Sequence, residues 1–310
     1  MILATPLIEK LHSFYHTAKI DFLLRKGNES ILANNPHLND VLVWDKKKGK
    51  YPNLFSMLKK IREGRYDLVI CVQRFFSSGL LAAFSNAGMI IGFDKNPLSL
   101  FFTRKIRHVI GSKENPVHEV DRNLSLIREL TDDCFVKPRI YPSKQDFNSA
   151  KATGSYVCIA PTSVWFTKQL PPKKWTELIN RFDEHTSVYL IGGKEDYEAC
   201  EEIKDAASNK KVINLAGVLS LLKSAALMKG AQMNYVNDSA PQHLASAVNA
   251  PVTAVYCSTV PEFGFTPLSD QSKIAEIKIK LDCRPCGLHG YAKCPKGHFK
   301  CADIEVAEII

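Results

Sequence analysis

Val236-Asn237-Asp238-Ser239-Ala240-Pro241-Gln242-His243 is the stretch that says most about the fold of this chain. The residues that lead into it, 231–236, predict a short strand, and residues 244–248 continue it as a helix with an apolar face. A strand that passes directly into a helix is the repeating unit of an α/β fold, and such folds bind ligands where their strands end. The stretch therefore predicts a fold class together with a candidate binding site.

The polar residues of this stretch have two interpretations. Asp238 and Ser239 both suit the N-cap of the predicted helix. The free N–H groups and the positive end of the helix dipole would favour a phosphate there, while the Asp238 carboxylate would accept hydrogen bonds from sugar hydroxyls. A helix cap without any ligand explains the same residues, and the local sequence does not decide between the two.

Length and composition indicate a globular chain of two domains. The 310 residues, 45% of them hydrophobic, are enough for two cores of ordinary size. The sequence has no run of about eighteen apolar residues and no basic-then-apolar N-terminus, so it predicts neither a membrane span nor an export signal. We therefore expect a cytoplasmic protein with reduced thiols.

The formal net charge of +9 indicates an anionic partner. Nucleotide phosphates, an anionic lipid surface such as the inner membrane, and nucleic acid all fit this charge, which does not by itself choose among them. The densest run of lysines, within residues 46–50, lies in a predicted loop with few aromatic residues. A solvated loop is the favoured interpretation of that run, and nucleic acid is an unlikely partner.

Strand patterns and helix patterns alternate along the chain, which predicts parallel sheets covered by helices on both faces. We expect an α/β architecture of two doubly wound, Rossmann-like domains that face a cleft, comprising residues 1–145 and 146–310. The predicted strands are 20–24, 41–44, 68–72, 89–92, 156–160, 188–191, 212–215, 232–236 and 252–256. The predicted helices are 6–16, 54–63, 78–86, 118–130, 172–182, 196–207, 219–229 and 241–248.

Several loops follow strands of the second predicted sheet. Residues 162–168 supply Thr162, Ser163 and Lys168, which suit phosphate oxygens although the glycines of a Walker loop are absent. The next loop, Gly192-Gly193-Lys194-Glu195, permits close backbone approach and offers a carboxylate for a ribose or base. An ordinary turn would explain each loop alone. Because the carboxyl ends of parallel strands share one edge of a sheet, however, we expect these loops to lie together.

Taken together, these loops resemble glycosyltransferase family 9, which is typified by the ADP-heptose:lipopolysaccharide heptosyltransferases. That family has a Lys-x-Trp-Pro-like segment, a Gly-Gly turn, a Leu-Ala-Gly tripeptide, here 215–217, and an Asn-Asp-Ser-Gly-Pro-x-His segment, here 237–243. Further landmarks occur in the family's order at 3–8, 35–37, 66–70, 91–93 and 118–122. The resemblance spans nearly the whole chain.

The resemblance implies a GT-B fold and a sugar transfer that inverts the anomeric carbon without a metal or other catalytic cofactor. The C-terminal half would hold a nucleotide-sugar, with ADP-heptose as the expected donor. The N-terminal half would present a lipid-linked saccharide acceptor of the lipopolysaccharide core type. A non-catalytic nucleotide-sugar-binding relative and a transferase that uses another nucleotide-sugar remain alternatives.

The resemblance also assigns roles to individual residues. Lys168 and Asp238 would be the catalytic pair, with Lys168 stabilising the departing diphosphate. Thr162 and Ser163 would face the diphosphate or the sugar, and Glu195 would face the nucleoside. The sugar and phosphates would also be bound by Ser239, Ala240 and His243.

Two departures from the family pattern bear on activity. Ala240 stands where the family usually has glycine. The methyl group of alanine leaves less room for a ligand to approach the backbone there. Family members also have a strand and a Gly-Asp pair just before the segment that matches residues 2–6, and that aspartate is the family's proposed base. We therefore expect the N-terminal domain to lack its first strand, and we expect the true start to lie upstream of Met1.

A cysteine-rich tail occupies residues 283–301. Cys283, Cys286, Cys294 and Cys301 have the spacing C-x2-C-x7-C-x6-C. Four thiolates of this kind suit a structural, tetrahedral zinc ion, in which a histidine of the tail could replace one thiolate. Free or redox-linked thiols explain the pattern equally well.

Overall fold

The computed structural model describes residues 1–47, 49–150 and 152–310, so Lys48 of the lysine-rich loop lies outside the described residues. The chain divides into two compact units. The first unit consists of Met1, 3–111 and 117–136, and the second consists of Ile2, 112–116 and 137–310. In both units the strands are parallel and alternate with helices, which confirms the predicted α/β class.

The first unit contains two small parallel sheets among its described residues, one of two strands and one of three. Its strands are β1 (Asp21–Arg25), β2 (Asp40–Trp44), β3 (Leu68–Cys71), β4 (Met89–Phe93) and β5 (Arg104–Ile106). Its helices are α1 (Thr5–Phe14), α2 (Lys50–Glu63), α3 (Phe76–Ala83) and α4 (Glu119–Leu124). β1 pairs with β2, and β4 lies between β3 and β5. The absence of a first strand, expected from the sequence, stays a prediction.

The second unit is built on one parallel sheet of six strands in the order β11-β10-β9-β6-β7-β8. The strands are β6 (Tyr156–Ala160), β7 (Ser187–Leu190), β8 (Val212–Asn214), β9 (Asn234–Asn237), β10 (Val252–Tyr256) and β11 (Ser272–Glu276). The helices are α5 (Lys144–Ser149), α6 (Pro172–Ile179), α7 (Tyr197–Ala206), α8 (Leu221–Gly230) and α9 (Ala240–Ala247). The chain builds outward from β6 to β8 and then returns to β9 on the other side of β6. The sheet is therefore doubly wound, and its switch point lies between β6 and β9.

The core of the second unit lies beneath α6. Pro172 occupies the first turn of this helix, where its missing N–H costs nothing. Trp175, Leu178 and Ile179 follow at helical spacing and are fully buried. They belong to one apolar cluster with Ile159, Val188 and Leu190, which come from β6 and β7. This packing fixes the helix that follows the β6 loop.

The tail that follows β11 returns to the same core. Its short 3₁₀ turns are Lys300–Ala302 and Val306–Glu308. Ala302, Ile304, Val306 and Ile309 are buried in the cluster that contains Trp175. The end of the chain, just after the cysteine-rich tail, is therefore an integral part of the second unit.

We expect Leu178→Ala to lower the free energy of unfolding of the second unit by about 2–5 kcal/mol, because the change leaves a cavity in a fully buried site. Chemical denaturation followed by circular dichroism measures this loss. Val218→Ala is the control, since Val218 is 64% exposed and its truncation should change stability by less than about 0.5 kcal/mol. Equal losses for the two variants would contradict this description of the core.

Candidate active site

Two of the sequence-predicted residues meet at the switch point of the six-stranded sheet. Lys168 ends a 3₁₀ turn, Phe166–Lys168, in the loop that follows β6, and Asp238 comes directly after β9. Lys168 Nζ lies 2.7 Å from Asp238 Oδ2, and the two side chains are only 14% and 8% exposed. The structure thus confirms that these loops share one edge and joins the two predicted catalytic residues in a nearly buried ion pair.

Two further donors complete the surroundings of the Asp238 carboxylate. Thr259 Oγ1, in the loop after β10, donates to Asp238 Oδ2 at 2.6 Å. Gln242 Nε2, in the first turn of α9, donates to Oδ1 at 2.9 Å. A carboxylate removed from water needs such partners, because an uncompensated buried charge is costly. The ion pair is therefore held by three elements that follow β6, β9 and β10.

Gln242 is itself held in place by Tyr256, the last residue of β10. The Tyr256 hydroxyl lies 3.2 Å from Gln242 Oε1 and 3.0 Å from the carbonyl oxygen of Phe265. Burial raises the pKa of Tyr256 well above its usual value, and the charge of Asp238 adds to this effect. The phenol therefore remains a hydrogen-bond donor at any ordinary pH.

Asn237 joins the loops after β6 and β9 through its buried amide. Its Nδ2 donates to the carbonyl oxygen of Pro161 at 2.8 Å, and its Oδ1 accepts from the backbone N–H of Leu170 at 3.0 Å. These bonds fix both ends of the loop that carries Thr162, Ser163 and Lys168. Thr162 and Ser163 are half-buried within it.

The N-terminus of α9 carries the remaining predicted residues of this loop. Ser239 occupies the N-cap position, but no side chain caps the helix, so the expected cap is wrong. The reason is that Asp238 binds Lys168 and Thr259, while Ser239 Oγ donates to the carbonyl oxygen of Asn237 at 3.3 Å. Ala240 is exposed at the first helical position, and His243 is half-buried one turn further on.

Glu195 lies on the neighbouring loop of the same edge, in the 3₁₀ turn Lys194–Asp196 that follows β7, and it is exposed. This loop packs against the one after β8, where the Gly217 N–H donates to the carbonyl oxygen of Gly192 at 3.0 Å. Gly217 has a φ of +75°, and a Cβ there would lie 2.8 Å from Lys194 Cα. Glycine is therefore required where the two loops meet.

The four cysteines of the tail lie near one another: burial raises the pKa of Cys301, and the charges of Cys286, Cys294 and Cys283 add to this effect. Cys283 Sγ lies 3.9 Å from His298 Nε2, Cys286 Sγ lies 3.3 Å from the carbonyl oxygen of Cys283, and Cys301 is buried. Within the ranges that the structure describes, no group of three or more His, Cys, Asp or Glu side chains is placed to hold a metal ion. The expectation of a structural zinc ion at Cys283, Cys286, Cys294 and Cys301 is therefore not supported.

Sequence reasoning missed Thr259, Gln242 and Arg284, the last of which binds backbone carbonyls beside Thr259. Thr259 follows β10 at the edge that the other predicted residues share, so the same rule would have found it. Gln242 lies four residues after Asp238, a spacing that allows contact across one helical turn. No sequence signal distinguishes Arg284 from the other basic residues of the tail.

Two units of parallel strands and helices, the second with a lysine–carboxylate pair at the switch point of its sheet, are the arrangement expected of the GT-B class of glycosyltransferases. The model of glycosyltransferase family 9 (heptosyltransferase) matches residues 54–288. The chain belongs to this family. It is 30% identical over 275 residues to lipopolysaccharide heptosyltransferase 3 of Escherichia coli, covering 84% of this chain and 80% of that protein.

Solved structures agree with the fold. The structure of E. coli ADP-heptose LPS heptosyltransferase II matches 92% of each chain with a TM-score of 0.78 and 21% sequence identity. The family 9 glycosyl transferase from Veillonella parvula matches with a TM-score of 0.79 and 20% identity, over 97% of this chain and 92% of that one. The GT-B class predicted from the sequence is confirmed.

We expect alkylation by iodoacetamide near pH 8 to modify Cys294 faster than Cys286 or Cys301. Burial raises the pKa of Cys294, but hydrogen bonds from the backbone of residues 296–299 outweigh it, so the net pKa is lowered. Burial raises the pKa of Cys286, and raises that of Cys301 to about 11. The thiolate is the reactive form, so Cys294 is deprotonated at lower pH than the other two.

Peptide mass spectrometry over a time course measures each rate, with the exposed Cys134 as the reference thiol. Labelling of Cys301 as fast as Cys294 would contradict the described surroundings of these sulfurs.

Proposed function

We propose that this chain transfers a heptose from ADP-heptose to a saccharide acceptor of the lipopolysaccharide core, with inversion at the anomeric carbon. The observation that carries the proposal is the Lys168–Asp238 pair at the switch point of the second unit, in a chain that belongs to glycosyltransferase family 9. The names of the similar E. coli proteins supply the sugar, the nucleotide and the acceptor class. Residues 146–310 would bind the donor, and residues 1–145 would present the acceptor.

The donor diphosphate would bind between Lys168 and the N-terminus of α9. The N-terminus of this helix has no side-chain cap and carries the positive end of its dipole, and Ala240 offers its N–H there, since Pro241 has none. Thr162 and Ser163 lie on the same loop as Lys168 and offer hydroxyl donors to the phosphate oxygens. Glu195 would accept hydrogen bonds from the nucleoside, while Ser239, Ala240 and His243 would line the sugar and phosphates.

In the transfer step, an acceptor hydroxyl oxygen bonds to the anomeric carbon of the heptose from the face opposite to the diphosphate. The bond between that carbon and the diphosphate oxygen breaks, and ADP leaves with the electron pair. Lys168 and the helix dipole would stabilise the charge that develops on ADP, so this scheme uses no metal or other cofactor. The acceptor proton passes to a base that we do not assign to any residue of this site.

Asp238 has two tasks in this scheme. It keeps Lys168 pointing into the site before the donor arrives, and its carboxylate accepts hydrogen bonds from the sugar. When the diphosphate binds, Lys168 shares its charge between the carboxylate and the phosphate oxygens. Because Thr259 and Gln242 also hold Asp238, the carboxylate stays in place while the lysine shifts.

We further propose that the first unit contacts anionic lipid. Among the described residues, no helix is both long and apolar enough to cross a bilayer. An apolar patch is exposed where α3 ends: Leu100 is 81% exposed, Phe101 57% and Phe84 43%, and the last two rings lie 5.9 Å apart. Arg62 Nε donates to the carbonyl oxygen of Phe84 at the margin of this patch. Residues 59–111 contain nine lysines and arginines but only three aspartates and glutamates, which matches an anionic surface.

We expect Lys168→Ala and Asp238→Ala each to weaken ADP binding or to slow transfer by about tenfold or more. The first variant removes the positive charge that faces the diphosphate, and the second releases that lysine and removes the carboxylate to which Thr259 and Gln242 both donate. Calorimetric titration with ADP, UDP and GDP measures binding and base preference, and ADP release from ADP-heptose measures transfer.

Lys210→Ala is the matched control, since Lys210 is an exposed lysine of the same unit. Wild-type affinity and rate in both site variants would overturn the site. Selective ADP binding without any transfer to lipopolysaccharide core acceptors would instead identify a non-catalytic nucleotide-sugar-binding protein.

We expect the double variant Leu100→Asp, Phe101→Asp to lose most of its binding to vesicles that contain about 30% phosphatidylglycerol, because charged groups oppose insertion of the patch. Co-sedimentation with these vesicles and with pure phosphatidylcholine vesicles measures the binding. Ile279→Asp is the control, since Ile279 is 60% exposed on the second unit. Undiminished binding by the double variant, or equal binding of the wild type to both vesicles, would contradict the lipid-contact proposal.

A further inference from the structure

The segment Arg284–Tyr291 of the cysteine-rich tail contacts both loops that hold Asp238. We call this segment the brace. At one end of the brace, the backbone of Tyr291 forms two hydrogen bonds with Thr167, the residue before Lys168. The Thr167 N–H donates to the Tyr291 carbonyl oxygen at 3.1 Å, and the Tyr291 N–H donates to Thr167 Oγ1 at 2.8 Å. The turn that carries Lys168 is thereby tied to the tail.

The other end of the brace holds the loop after β10. Arg284, whose side chain is 11% exposed, donates from Nε to the carbonyl oxygen of Cys257 at 2.8 Å and from Nη2 to that of Thr259 at 2.8 Å. It also reaches the carbonyl oxygen of Tyr256 and the carboxylate of Glu276. The planar guanidinium suits such a set of acceptors, which a lysine would not match. The position of Thr259, which donates to Asp238, therefore depends on Arg284.

Two further hydrogen bonds connect the brace, the loop after β10 and the turn that carries Lys168. The Cys286 N–H donates to the carbonyl oxygen of Ser258 at 2.8 Å, and Ser258 Oγ donates to Thr167 Oγ1 at 3.0 Å. Gly290 has a φ of +78° and lies against Lys168, so that a Cβ there would come within 3.0 Å of both Lys168 Cγ and Thr167 Oγ1. The brace therefore touches the aliphatic stem of the lysine itself.

We propose that the brace positions the Lys168–Asp238 pair for the donor diphosphate. Lys168 and Thr259 converge on the same oxygen of Asp238, at 2.7 Å and 2.6 Å, and the brace fixes the backbone that carries each of them. The residues of the brace act through Lys168 and Thr259 and are positioning residues. This inference rests on the proposed function, because it assigns the tail a part in the same binding site.

The decisive comparison is Gly290→Ala against Gly297→Ala, measured as the dissociation constant of ADP by calorimetry. Both glycines have left-handed backbone, with φ of +78° and +74°, but a Cβ at Gly297 has nothing within 4 Å. The backbone cost is thus matched, and only the first variant displaces Lys168. We expect Gly290→Ala to weaken ADP binding about tenfold relative to Gly297→Ala.

A double-mutant cycle separates positioning from a general structural effect. In a Lys168→Ala background, adding Gly290→Ala should leave the ADP dissociation constant unchanged within about twofold. An additive loss would overturn the proposal, as would equal affinities of Gly290→Ala and Gly297→Ala in a protein that binds ADP. A wild-type protein that fails to bind ADP would instead contradict the proposed function.

Thr167 provides a second route if Gly290→Ala fails to fold. Thr167→Val keeps the shape of this buried side chain but loses the oxygen that serves Tyr291 and Ser258, whereas Thr167→Ser retains it. We expect the valine variant to weaken ADP binding about tenfold and the serine variant to restore wild-type affinity. Equal affinity of the two variants would overturn the proposal.

Discussion

The organisation of the second unit depends on one carboxylate that is almost removed from water. The side chain of Asp238 is 8% exposed, and a charge in that position is tolerated only if donors surround it. Lys168, Thr259 and Gln242 supply them from the loops after β6 and β10 and from α9. The Asp238 carboxylate therefore ties the loops after β6 and β10 to the first turn of α9 at one edge of the sheet.

The doubly wound sheet explains why these donors can meet at all. Its strands are parallel, so the loops that follow them lie at the same edge. The direction of strand order reverses between β6 and β9, and such a reversal leaves a crevice at that edge. The amide of Asn237 then spans the crevice by binding backbone groups of Pro161 and Leu170. These side chain–backbone hydrogen bonds and the ion pair together hold the loops after β6 and β9 against each other.

Most of the fold could be predicted from the sequence because central strands of a parallel sheet are buried on both faces. β6 and β10 are buried along their whole length and stand out as apolar runs. The two missed strands, β5 and β11, lie at sheet edges, and their residues are mostly exposed or half-buried. The helix predicted over 118–130 ends at Leu124 instead, because the pattern of apolar residues there continues through a 3₁₀ turn, Arg128–Leu130.

The candidate site could be predicted only for residues that lie in the loops after the strands. Lys168 and Asp238 satisfy that rule, whereas Gln242 and Arg284 acquire their roles from contacts that only the folded chain creates. The cysteines show the opposite limit, since their spacing suggested a metal site, whereas no group of three or more described His, Cys, Asp or Glu side chains is placed to hold a metal ion. Their segment nevertheless lies beside Lys168, and the contacts it makes there come from backbone groups, Arg284 and Gly290. The tail thus contacts the candidate site through its backbone and through Arg284. The spacing of its cysteines gives no indication of these contacts.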